Sequence, residues 1–193
     1  MIAKTTIAAI RWLLFFPLSL TATITTVLLS PLLALCYTVK DGREYLIKPL
    51  YWFQTFDAPV DEWWIGGYYK SAFDWSAKLT DADFHAWAWW RYVARVMWLV
   101  RNPGYGFGYF LLGFDYGVEV FRRSAGVWDS GSNNYEFTIV NSPNNSILNR
   151  YAFQYQAQWH WSASRFLRVR IGWKLGVGQR AVFADHFNPF RPA

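Results

Sequence analysis

From Trp12 to Tyr37, WLLFFPLSLTATITTVLLSPLLALCY, the chain has no Asp, Glu, Lys, Arg or His. That absence removes any charged face on which the segment could meet water over its whole length. Other absences bear on chemistry. There is no Walker loop, no dinucleotide glycine fingerprint after a strand, no HExxH and no nucleophile elbow. The three histidines, His85, His160 and His186, are far apart, and zinc-type ligand spacing is missing. The single cysteine, Cys36, sits inside the apolar run and is poorly placed as a thiol nucleophile. No catalytic residue, cofactor or metal is therefore assigned from the sequence.

What the first 37 residues do contain is apolar length. A bilayer core of about 30 Å takes roughly 20 apolar residues as a helix. Between Leu13 and Leu35 there are thirteen Leu, Ile, Phe or Val residues. At a helix centre these favour insertion by roughly 4 to 8 kcal/mol as an upper bound. Pro17 and Pro31 predict kinks or frayed ends rather than a break. Trp12 and Tyr37 stand at the two ends, where amphipathic rings meet headgroups. A cleaved signal peptide would share the basic start, Lys4 and Arg11, but needs a shorter apolar core and a small-residue cleavage site. Leu33-Ala34-Leu35-Cys36 has the outline of a lipoprotein box, yet Leu35 is not small. A buried helix of a soluble domain is the remaining rival. Lys4 and Arg11 before the run nearly balance Lys40, Arg43 and Lys48 after it, so the charge bias is small; it leans toward a cytoplasmic carboxy-terminal domain.

The rest of the 193 residues is room for one domain of ordinary size. A net charge of +6 suits nucleic acid or an anionic membrane surface, and the thirteen Trp and twelve Tyr favour the membrane. Composition divides the chain into an anchor (1–38), an aromatic juxtamembrane segment (39–80) and an α+β domain (81–193). Lys40-Asp41-Gly42-Arg43 has turn chemistry, and Asp57 to Asp61 reads as a loop around Pro59.

Thr80-Asp81-Ala82-Asp83 supplies a helix start, with Thr80 or Asp81 as cap. The helix that follows, 82–101, places Trp89, Trp90, Val93, Val96, Met97 and Val100 on one face and Arg91 and Arg95 on the other. Two readings of it stand side by side. In one it lies at the membrane interface, with Trp89, Trp90 and Met97 toward acyl chains and Arg91 and Arg95 among headgroups. In the other it is a core helix packed on the sheet. The glycine-spaced run Tyr105 to Phe114 is too short to span as a helix and reads as a membrane-dipping loop or a core strand.

The carboxy-terminal half has strand periodicity, about 116–183. Tyr151 to Trp161 alternate without fault, with Tyr151, Phe153, Tyr155, Ala157, Trp159 and Trp161 expected inward and Gln154, Gln156, Gln158 and His160 outward. The pattern resumes from Leu167 to Leu175, giving an antiparallel hairpin, and Val118 to Arg122 and Tyr135 to Val140 add strands to a meander of about four. Arg165, Arg168, Arg170 and Lys174 then form a basic outer surface. Only Phe166 accompanies them, which argues against base stacking and nucleic acid and leaves attraction to anionic headgroups.

Four segments, Asp57-Ala58-Pro59-Val60-Asp61, Arg101-Asn102-Pro103-Gly104-Tyr105-Gly106-Phe107, Ile171-Gly172-Trp173-Lys174 and Asn188-Pro189-Phe190, together resemble a family of uncharacterised membrane-anchored proteins of tailed bacteriophages and prophages. The resemblance covers roughly Tyr51 to Phe190, implies a bacterial-host setting, and supplies no catalytic residues. The sequence therefore leads to an expectation. The chain is a single-pass protein of the host inner membrane with a non-enzymatic interaction role in superinfection exclusion, lysis or assembly. Its partners are the lipid bilayer and another membrane or phage protein. The alternatives are a membrane-associated enzyme on lipid or cell-wall substrates, with Asp81, Asp83 and His85 as its candidate site, and a structural virion component.

Overall fold

A computed structural model describes residues 2–126, 132–142, 150–162, 165–177 and 180–192. The fold is α+β. The apolar run forms α1 (Ile2–Leu33), unbroken through Pro17 and Pro31. Among the described residues it is the one helix long and apolar enough to cross a membrane. It starts well before Trp12 and stops short of Tyr37, which opens a strand instead. The chain divides into two compact units: residues 1–19 with 111–193, and residues 20–110. This division follows contacts, whereas the boundaries at 38 and 80 followed composition.

In the unit of residues 20–110, β1 (Tyr37–Lys40) and β2 (Arg43–Leu46) form an antiparallel hairpin. Its two turn residues, Asp41 at φ 51° and Gly42 at φ 74°, have the left-handed conformation that a tight hairpin turn requires. A 3₁₀ turn at Lys48–Phe53, the short helices α2 (Glu62–Ile65) and α3 (Tyr69–Ala72), and a 3₁₀ turn at Ser76–Lys78 follow. The expected helix 82–101 is two helices, α4 (Asp81–Ala86) and α5 (Ala88–Arg101), parted at Trp87, whose backbone is extended. α6 (Tyr105–Phe110) occupies most of the glycine-spaced run, and Phe114 at its end opens a strand, so the run as a whole is neither the loop nor the strand expected. Gly106 explains the choice of residue there, since a Cβ would run into the carbonyls of Gln54 and Tyr51.

Two cores hold this unit. Leu33, Ala34, Leu46, Val60 and Leu99 form one, and Trp63, Tyr69, Phe84, Ala94 and Trp98 form the other. The inward residues of α5 are Ala94, Arg95, Trp98 and Leu99. Arg95 is therefore buried and does not share an outward face with Arg91. The 100° periodicity set it opposite the Trp89, Trp90 and Met97 face, but here it is buried because it has partners, described below. Trp89, on the expected apolar face, is exposed.

The other unit is a seven-stranded antiparallel sheet of β3 (Phe114–Asp115), β4 (Glu119–Ala125), β5 (Asn134–Asn141), β6 (Tyr151–Ser162), β7 (Arg165–Val177), β8 (Arg180–Phe183) and β9 (His186–Pro192). Their order is β3-β8-β7-β6-β5-β4, with β9 also on β7. β4 to β7 are the expected meander; β3, β8 and β9 extend it. The connections expected at Ser130–Asn134, Asn141–Asn145 and Ser162–Ser164 lie partly outside the described residues.

The aromatic face of β6 is the one that α1 covers, as expected at Phe153, but the glutamine face expected outward is buried as well. Gln154, Gln156 and Gln158 are buried, while Tyr151, Phe153 and Tyr155 are half-buried and Trp159 and Trp161 exposed. Lateral hydrogen bonds make this burial tolerable. Arg168 Nε donates to Gln158 Oε1 at 3.0 Å, Arg170 Nη2 to Gln156 Oε1 at 3.1 Å, Gln156 Nε2 to Glu136 at 3.3 Å, and the Leu175 N–H to Gln154 Oε1 at 2.8 Å. Alternation predicts two faces but not that the polar one is closed off by long side chains of the neighbouring strands.

The first part of α1 packs on the aromatic face of this sheet. The Phe15 ring meets those of Trp173 and Phe183 at 6.3 and 6.4 Å, and Trp12 meets Phe153 at 6.3 Å. Trp12 Nε1 donates to Asp185 at 3.1 Å, and the Gly172 N–H donates to the same carboxylate at 2.9 Å. Burial raises Asp185 above the usual carboxylate range against the opposing pull of these two donors. Arg11 is buried with its guanidinium 4.3 Å from the Phe114 ring and 4.8 Å from that of Trp173.

Candidate functional site

The unit of residues 20–110 contains a cavity of about 470 Å³. Val39, Trp64 and Ile65 are its apolar walls; Glu44, Asp61, Asp81, His85 and Arg91 bring charge to it. Three local structures put these groups together. The β1–β2 hairpin carries Val39 and Glu44, α2 and the residue before it carry Asp61, Trp64 and Ile65, and the α4–α5 pair carries Asp81, His85 and Arg91.

Two of the three carboxylates are committed. Arg43 grips Asp61 through Nε and Nη2 at 3.2 and 3.1 Å and reaches Glu62 at 2.5 Å, while Asp61 Oδ2 also accepts the Glu44 N–H at 3.1 Å. Burial disfavours the Arg43 charge, but the hydrogen bonds and charges of Asp61 and Glu62 outweigh it and hold the group above its ordinary range. Glu44 pairs with Arg95 at 2.5 Å, and both are nearly fully buried. Arg95 Nε donates to the Ala34 carbonyl at 2.8 Å, and its guanidinium lies 4.0 Å from the Tyr37 ring. Each charge buried on this side thus has a counter-charge and hydrogen bonds, the condition under which burial is sustainable.

Asp81, His85 and Arg91 are less committed. Tyr69 donates its hydroxyl to Asp81 Oδ1 at 2.5 Å. Burial, then that bond and the charges of Asp81 and Asp83, push the Tyr69 hydroxyl up to about 12, so it remains a donor. His85, one helical turn after Asp81 and on the same face of α4, meets the Trp64 ring edge-on at 5.1 Å. Arg91 Nε is buried and has no hydrogen-bond partner among the described residues.

The structure brings Asp81 and His85 of the candidate triad to the cavity and leaves Asp83 out. Asp83 instead caps α4, accepting from the Thr80 N–H at 2.7 Å and the Thr80 hydroxyl at 2.8 Å, and these donors hold it below the usual carboxylate range. Among the described residues no three His, Cys, Asp or Glu side chains group as metal ligands would. Glu44, Asp61 and Arg91 were not foreseen as neighbours of Asp81. The acidic pair Asp61-Glu62 and the oppositely charged neighbours Arg43-Glu44 were the available signal.

The remaining residues singled out from the sequence are dispersed. Trp12 is bonded to Asp185, and Tyr37 lies beneath Arg95. Trp89 is exposed beside Tyr92 at 5.4 Å, Trp90 stacks on Trp75 at 6.2 Å, and Met97 packs at the margin of the second core. Of the basic row on β7, Arg168 and Arg170 are drawn into the glutamine network, Lys174 is half-buried, and Arg165 is exposed.

No curated protein and no solved structure matches the chain. Residues 3–193 match a family described as a family of unknown function, DUF7338. With nearly its whole length matched, the chain belongs to the DUF7338 family.

Proposed function

We propose that this is a phage-encoded, single-pass membrane protein that engages another membrane or phage protein at the host inner membrane, without catalysis, in superinfection exclusion, lysis or assembly. One observation carries the membrane part: α1 is inside out for a helix in water. In its second part, Ala22, Thr26 and Ser30 are buried at intervals of four, while Leu20, Ile24, Leu28 and Leu32, also at intervals of four, are exposed. In its first part Ala8 and Arg11 are buried and Ile10, Leu13, Leu14 and Leu18 exposed. Small and hydroxyl residues toward protein with large aliphatics outward is the pattern of a helix whose solvent is lipid. The packing of Trp12 and Phe15 on the sheet supports retention of the segment, since cleavage after it would strip a face of the core. The phage setting rests on the four sequence segments given above.

The test is flotation of the full chain with vesicles after alkaline carbonate. It is expected to float, and recovery in the soluble fraction would refute the membrane reading. Photo-crosslinking from position 89 in bacterial membranes is expected to give a discrete adduct with another protein; adducts with lipid alone would count against the interaction role. A second reading, an enzyme on lipid or cell-wall substrates, is favoured by the meeting of Asp81 and His85 at one cavity. It requires His85→Ala to abolish a cellular phenotype at unchanged folding.

A further inference from the structure

We infer that the cavity of residues 20–110 binds a small zwitterion carrying a primary ammonium and a phosphate, a phosphoethanolamine group. The argument is one of unspent hydrogen bonds. Glu44 is paired with Arg95, and Asp61 is held by Arg43, which it shares with Glu62. The remaining carboxylate, Asp81, spends Oδ1 on the Tyr69 hydroxyl and keeps Oδ2 for a further donor. Arg91 brings the one cation of the cavity wall that has no ion pair among the described residues, and its Nε is buried without a hydrogen-bond partner.

A ligand satisfying both ends must offer a donor to Asp81 and an anionic acceptor to Arg91. An anion alone would face Asp81, and a cation alone would face Arg91; either leaves one of the two charges without a counter-charge in the cavity. A phosphate suits the guanidinium fork. A primary ammonium can hydrogen-bond Asp81, whereas a quaternary one cannot. The Trp64 ring and the side chains of Val39 and Ile65 provide apolar wall for the methylenes between the charges. The volume lies within the range of small-molecule sites.

The same chemistry comes from two sources, a lipid headgroup or a free metabolite. β1, which supplies Val39, begins a few residues after α1 ends, so a bilayer around α1 would bring headgroups near this cavity. Only that choice of source rests on the membrane reading proposed above.

The full chain, purified in a mild non-ionic detergent, is titrated with free phosphoethanolamine and, separately, exchanged into nanodiscs of ethanolamine or choline phospholipid, with tryptophan fluorescence and native mass spectrometry as readouts. Retention of ethanolamine lipid over choline lipid supports the site with a lipid source. Saturable binding of the free compound alone supports it with a soluble source, even if the chain fails to float with vesicles. Asp81→Asn and Arg91→Met are each expected to weaken binding about tenfold, the loss of one charge-assisted hydrogen bond. Equal retention of the two lipids together with no binding of the free compound overturns the inference. So does binding unchanged in both variants. If a variant loses its native near-ultraviolet circular dichroism, the wild-type comparison of ethanolamine with choline decides alone.

Discussion

Breaking the Arg95–Glu44 pair should be the most damaging single change in the unit of residues 20–110. Both side chains are less than a tenth exposed, Arg95 Nη1 and Glu44 Oε2 are 2.5 Å apart, and Arg95 Nε also satisfies the Ala34 carbonyl, near the end of α1. Arg95→Met leaves Glu44 charged in a dry site and Ala34 without its donor; Glu44→Leu strands the guanidinium. Removing one member of a buried pair costs about 3–5 kcal/mol. For a unit of roughly 90 residues each kcal/mol moves the melting temperature by about 4–8 °C, so either single variant should melt about 12–40 °C lower. The double variant Arg95→Met/Glu44→Leu leaves no unpaired charge and loses the bond to Ala34, about 1–3 kcal/mol, together with the contact of Arg95 with the Tyr37 ring. The cycle should therefore show a coupling above about 2 kcal/mol, measured by denaturant unfolding in detergent with near-ultraviolet circular dichroism. Single losses below about 1 kcal/mol, or strict additivity, would refute the claim that mutual neutralisation keeps α5 docked.

Three further outcomes are expected. Asp185 titrates above its ordinary value in the folded state, so the folded protein holds that proton more tightly than the unfolded chain. Its contribution to stability is greatest at low pH and falls as pH rises from the ordinary carboxylate range through the raised value. Asp185→Asn should flatten that slope in pH-dependent melting while still accepting from Trp12 and Gly172, whereas Asp185→Ala orphans both donors and should cost about 1–3 kcal/mol. Gly106→Ala forces a methyl group onto the carbonyls of Gln54 and Tyr51 and should cost about 1–3 kcal/mol or more in denaturant unfolding; Gly67→Ala, in open space, should cost about 1–2 kcal/mol from its left-handed backbone at φ 71° alone. Leu28→Lys on the exposed face of α1 should weaken membrane partition by about 3–4 kcal/mol at a central position and leave melting in detergent nearly unchanged, while Thr26→Leu, at a fully buried site, should do the opposite.

Periodicity found the elements and missed which of their polar side chains are buried. The turn at Asp41-Gly42, the helix start at Thr80, the end of α5 near Asn102 and the β6–β7 hairpin were all legible, because each depends on residues adjacent in sequence. Arg95 and the glutamines of β6 were assigned outward because polarity is read residue by residue. What buries them is a partner elsewhere: Glu44, 51 residues from Arg95, and Arg168 and Arg170 across a strand pair. The cavity was half legible. Asp81 and His85 share a helix and could be seen together, whereas Glu44, Asp61 and Arg91 reach it only through the packing of the hairpin, α2 and α5. The break at Trp87 has no Gly or Pro to announce it.

The inverted faces of α1 narrow the surroundings in which this fold is a free-energy minimum. Burying a Leu or Ile side chain from water stabilises by about 1.5–3 kcal/mol, and Ile10, Leu13, Leu14, Leu18, Leu20, Ile24, Leu28 and Leu32 forgo it. In water, turning either part of the helix about its axis would bury several of these at the expense of Ala, Thr and Ser. That rearrangement would be worth more than the close contacts it destroys. In lipid the aliphatic side chains lose nothing by facing out, and what remains to be optimised is close approach. The small residues provide it. Thr26 turns its hydroxyl back to the Ala22 carbonyl at 2.7 Å, so its polarity is spent within the helix. Gly104, at φ 66°, lets the chain run against the backbone of Ala22 and Thr23, where a Cβ would stand 3.2 Å from main-chain atoms. The residues that make α1 a poor core helix in water are the ones that would let it pack in the bilayer proposed for it.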